Sequence, residues 1–118
     1  MSYFNKITTQ FALNSSRTTP SAITFSSSGN NIIVAASGGK VVRVYRMILV
    51  AAGATNMTFQ DGAVSPVVFT GALPFQANGS LVLDFTDEPW FTTTTGTAFV
   101  INSSNAVQVS GTVYYTQS

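Results

Sequence analysis

The sequence predicts an all-β protein, a jelly-roll-like or β-sandwich single domain with an extended N-terminal arm. Three observations carry this. From Asn30 onward, short apolar runs are cut by turn residues at intervals of about 8 to 12 residues, the rhythm of sandwiches and barrels. Several runs alternate apolar and polar side chains, which puts one face of a strand toward a core. No window longer than a few residues has a helical period free of glycine and β-branched residues.

Residues 1–29 are rich in Ser, Thr and Asn, with widely spaced apolar residues. Disordered tails usually lack such aromatics. Two readings stand side by side: an arm lying over a neighbouring subunit and pinned by Phe4, Ile7 and Phe11, or a first strand region of the domain formed by residues 30–118.

The runs then follow in order. NNIIVAAS stops at Gly38-Gly39, KVVRVYRMILVAA at Gly53 and TNMTFQ at Asp61-Gly62, each a turn or hairpin signal. SPVVFTG follows, then LPFQ before Asn78-Gly79, SLVLDFT before Asp87-Glu88-Pro89, and TAFVINS before Ser104-Asn105. In the last run, AVQVSGTVYYTQ, Val107, Val109, Val113 and Tyr115 share one face and Gln108, Ser110, Thr112, Tyr114 and Thr116 the other. Gly111 falls in an inward slot, where a bulge or a close neighbour is the usual reason. Leu81, Leu83 and Phe85 oppose Val82, Asp84 and Thr86 in the same way.

The stretch from Lys40 to Gly53 is the most unusual. Only 8% of residues are charged, against about a quarter in ordinary soluble domains, yet Lys40, Arg43 and Arg46 stand three apart at the start of the most apolar run. In a regular strand Arg43 and Arg46 point to opposite faces, and the all-apolar second half, MILVAA, has both faces buried. A helix would align Lys40, Arg43, Met47 and Val50, but the valines and flanking glycines oppose it. A strand of about 12 residues exceeds what a small domain needs, so its first half is expected at a contact with another surface. Arg43, Tyr45 and Arg46 are the interface candidates, with Asp84, Asp87 and Glu88 as acid partners; plain solvated surface is the alternative.

Composition narrows the function. With no histidine and no cysteine, Ser-His-Asp, thiol and histidine- or thiolate-metal chemistry cannot be assembled from this sequence. A carboxylate pair from Asp84, Asp87 and Glu88 could in principle cleave a glycoside, and Asp-x-x-Asp-Glu could corner a calcium ion, but the spacing matches no defined loop. The expectation is a non-enzyme with no cofactor and no metal. A net charge of +1 gives no field for a polyanion, so nucleic acid is not an expected partner. The longest apolar run, Met47 to Ala54 around Gly53, is too short to span a bilayer, and the chain is read as soluble and made in the cytoplasm. Trp90, after Pro89, reads first as a core plug at the end of the sandwich; as a ligand-facing aromatic it would serve glycan recognition with Tyr114.

Three segments carry a resemblance. NGSLVLDF at 78–85, PWFTT at 89–93 and AVQVSGTVYY at 106–115 make residues 30–118 resemble small β-rich structural proteins of tailed bacteriophages and prophages. The resemblance implies a virion component on the capsid surface: a decoration or cement protein, jelly-roll-like and homo-oligomeric, whose partner is the major capsid protein. A trimer is expected ahead of a dimer. A fibre or tail-tip module reading host glycans is the alternative. The resemblance brings no catalytic residues.

Overall fold

The computed structural model describes residues 17–118. Phe4, Ile7 and Phe11 lie outside the described residues. Among the described residues nine strands form two antiparallel sheets: β1 (Thr19–Phe25), β2 (Gly29–Val34), β3 (Val42–Ala51), β4 (Thr55–Asp61), β5 (Leu73–Phe75), β6 (Gly79–Leu83), β7 (Phe91–Thr92), β8 (Phe99–Ser103) and β9 (Val109–Gln117). One sheet runs β1-β9-β3-β6, with the short β7 also on β3; the other runs β2-β8-β4-β5.

The pairings are nested. β1 pairs with β9, β2 with β8, β3 with β6 and β7, and β4 with β5, and successive pairs alternate between the two sheets. Counting β6 and β7 as one interrupted strand, this is a long hairpin wound around itself, the eight-strand jelly-roll arrangement. The expected all-β sandwich is therefore the observed fold. β1 belongs to it: Ile23 is buried and Thr19–Phe25 runs beside β9 over its whole length. Gly29, the last residue of the region expected to be an arm or a first strand, is the first residue of β2.

Alternation along each strand supplies the core. Val42, Val44, Met47, Leu49 and Ala51 of β3, with Val109 and Val113 of neighbouring β9, face Met57 and Phe59 of β4 and Phe99 and Ile101 of β8 across the gap. At one end the sheets are joined by rings: Phe91 lies 5.5 Å from Phe59, 5.9 Å from Phe99 and 5.3 Å from Phe69 between centroids. Such offset ring pairs add to the area they bury.

Several expectations are corrected. Of the turn-or-hairpin signals, those at Gly38-Gly39 and Gly53 mark bends in the chain but close no hairpin; the chain crosses there from one sheet to the other, since β2, β3 and β4 alternate between sheets. SPVVFTG forms no strand, only a bridge from Val68 to Gln60, with Val67 and Val68 exposed. Pro66 removes a donor there, and Val67 N–H donates to the Asp61 side chain rather than to a ladder partner. The second half of β3 is not buried on both faces, because Val50 is 41% exposed and Ile48 half-buried. The close neighbour expected at Gly111 is the β3 backbone: a Cβ there would collide with the Ile48 carbonyl and stand 2.8 Å from Leu49 Cα.

Candidate interaction surface on the bulged strand

The outer face of β3 is set by an irregularity. Against β9, Val44 pairs with Tyr115 and Arg46 with Tyr114, so Tyr45 is an extra residue with no partner of its own. A bulge of this kind shifts the alternation by one. Arg43 and Arg46 consequently share the outer face while Val42, Val44 and Met47 all remain inside, which corrects the opposite-face expectation.

Arg46 is the centre of one cluster. Its guanidinium carbon lies 5.2 Å from the Tyr114 ring centroid and 5.8 Å from that of Phe85, and those two rings meet edge to face at 5.8 Å. Its Nε is 3.2 Å from Asp84 Oδ1 without the direction of a hydrogen bond, so that contact is Coulombic. With Asp84 76% exposed, the pair contributes at most about 1 kcal/mol, similar to the cation–π contacts. Asp84 Oδ1 also accepts from Phe85 N–H at 2.8 Å, which holds the carboxylate at the start of the β6–β7 loop.

Trp90 closes the same cluster. Its backbone N–H donates to the Val44 carbonyl at 2.7 Å and its indole Nε1–H to the Asp84 carbonyl at 2.7 Å. The ring is thereby fixed at both ends, yet 43% of the residue is exposed. The core-plug expectation is overturned: the plug is Phe91, the next residue, which points inward among Phe59, Phe69 and Phe99. Exposed Val82 and Val50 and half-buried Ile48 continue the apolar surface along β3 and β6.

The other candidates fall elsewhere. Asp87 and Glu88 are exposed in the β6–β7 loop and, among the described residues, meet neither arginine; the Glu88 carbonyl accepts from Thr86 Oγ1. Arg43 instead donates from Nη1 to Ser118 Oγ at 3.1 Å. With Arg17, Tyr45, Thr116 and Ser118 it lines a cleft of about 380 Å³ at the end of the five-stranded sheet. Arg17 carries no signal in the sequence, since only the pairing of β1 with β9 brings it beside residues 116–118.

Sequence reading placed Asp61 in a turn, and the structure buries it completely. Burial pushes its carboxyl up, but four donors outweigh that and hold it below the ordinary value of 3.8. They are Thr94 Oγ1 at 2.7 Å and Val67 N–H at 2.9 Å, with Ala63 N–H and Thr94 N–H each at 3.2 Å. The group ties β4 to both neighbouring loops.

Comparison with known protein families, curated proteins and solved structures returned no match. The surface has therefore to be read from its own chemistry. Among the described residues no group of three potential ligands could hold a metal ion, and no helix is long and apolar enough to cross a membrane. Asp84, the nearest candidate for acid–base work, is engaged by Arg46 and lies on an open face rather than in a cavity.

Proposed function

We propose that the chain is a non-enzymatic virion protein of the capsid decoration type, attaching to an assembled shell through the outer face of its five-stranded sheet. The observation that carries this is Trp90, fixed by two hydrogen bonds and still exposed, beside Arg46, Phe85 and Tyr114. Tryptophan, tyrosine and arginine dominate the energy of protein interfaces, and a ring already held in place loses little entropy on docking. The major capsid protein is the proposed partner. Stabilisation then follows by mass action, because a protein that binds only the assembled shell shifts the equilibrium toward it.

The jelly-roll topology is compatible with this role, as is a surface with few charges, which lets many copies pack without mutual repulsion. A second reading is favoured by the same exposed indole: a fibre or tail-tip module that stacks a host sugar on Trp90, with Arg46 and Tyr114 as polar neighbours. Both readings keep the protein free of cofactor and metal.

Sedimentation with assembled capsids of the source virus tests the proposal. Saturable binding is expected, weakened by about tenfold or more in Trp90→Ala, the effect of losing an interface anchor. Wild-type chain that stays in the supernatant while host glycans quench Trp90 fluorescence in a saturable way would replace decoration by the glycan reading.

A further inference from the structure

We propose that the cleft holding Arg17 and Arg43 is a carboxylate receptor whose occupant is a second copy of this chain, entering through Asp87 and Glu88 of its β6–β7 loop. The inference goes beyond shell attachment, since it concerns the free protein and uses different residues.

The chain has five basic and four acidic side chains, and most are accounted for. Asp61 is buried among its four donors, and Arg46 is paired with Asp84. Lys6 lies outside the described residues, and Lys40 is exposed in the loop before β3. Two acids and two arginines are left. Asp87 and Glu88 are adjacent and exposed, with no cation at ion-pair distance among the described residues. Arg17 and Arg43 converge on one cleft whose lining, among the described residues, contains no acidic side chain.

Two cations drawn into one concavity repel each other and focus a positive field there. An anion relieves both effects. Arg43 already has Nη1 engaged by Ser118 Oγ, which orients the guanidinium and leaves its remaining donors for a ligand. A planar guanidinium matches a carboxylate at two points, and Tyr45 and Thr116, both hydroxyl-bearing, line the same cleft.

The placement of the two halves selects the partner. The cleft lies on the β1 and β9 side of β3, and the acidic loop on the β6 and β7 side, where Trp90 N–H bonds to Val44. Within one copy β3 separates them. A two-fold axis passing near Tyr45 lays the loop of each copy over the cleft of the other and makes both contacts at once, the self-complementary geometry of a closed dimer. This favours a dimer over the trimer expected from the sequence.

Light scattering of the full chain after size exclusion provides the test. At low ionic strength the mass should be twice the 12.5 kDa subunit, falling to one subunit at about 1 M salt, where exposed ion pairs are screened within about 3 Å. The double variants Arg17→Glu/Arg43→Glu and Asp87→Lys/Glu88→Lys should each be monomeric alone and dimeric when mixed one to one, because reversing both partners restores attraction. If a reversal variant loses its β-sheet circular dichroism, Arg43→Gln and Glu88→Gln carry the test, each expected to weaken the dimer by about tenfold. A monomeric wild type, a trimer, or a dimer indifferent to salt and to these substitutions would overturn the inference.

Discussion

Asp61 has no exposure to solvent and four donors around its carboxylate, so its charge is part of the fold. The direction of its shift fixes a pH dependence. A carboxyl whose folded value is lowered stabilises the fold fully above its unfolded value, near 3.8, and loses that contribution as pH falls through the folded value. Asp61→Asn removes the charge and turns one acceptor into a donor facing donors. We expect it to cost roughly 2–3 kcal/mol in urea unfolding near pH 7, with the gap to wild type narrowing by about pH 3. A gap independent of pH would mean that shape, and not charge, is what Asp61 supplies. None of this was legible in the sequence, where Asp61-Gly62 has the form of a turn and the decisive partner, Thr94, lies 33 residues further on. Trp90 was misread for a related reason. Sequence marks an aromatic after Pro89 as apolar and shows nothing of the Asp84 carbonyl that holds its indole, so core and surface could be separated only by the observed hydrogen bonds.

At the scale of the element, the bulge at Tyr45 does most to define the candidate surface. Because Val44 and Arg46 already pair with consecutive residues of β9, deleting Tyr45 removes the extra residue and leaves every other side chain of β3 on its present face. Deleting Ile48 from the regular half does the opposite and turns one half of the strand inside out. The first deletion should remain cooperatively folded, within about 2 kcal/mol of wild type by urea titration, while the second should not fold. Equal outcomes would contradict the assigned register. The positions of β2, β3, β4, β6, β8 and β9 were readable because each is a run of five residues or more set off by turn residues. The two-residue β7 was too short to leave a pattern, and the valine-rich 65–70 segment had the composition of a strand without the donors to complete one. Parity was the other failure, since an unpaired residue inside a strand has no sequence mark when flanking residues are equally β-prone.

Across the whole molecule, nested pairing joins the first described strand to the last, so most stabilising contacts close long loops. All-β chains dominated by such contacts fold slowly. Refolding followed by the single Trp90 should be complete in about milliseconds to seconds, and a microsecond phase carrying the full amplitude would be inconsistent with this topology. The rhythm of the runs foretold the class but not the winding, because glycine and asparagine mark where a chain bends and are silent on whether it returns beside itself or crosses to the other sheet. Among the described residues the nesting leaves four strand edges, and each is blunted. β1 carries Pro20, β2 shifts register at Ile33, β5 has three residues including Pro74, and the β6–β7 edge is interrupted by residues 84–90. Exposed edges are the usual template for open-ended stacking into fibrils, which most proteins resist in part by charge. This chain has little charge to use in that way, so the breaks along its edges are the feature that opposes cross-β stacking.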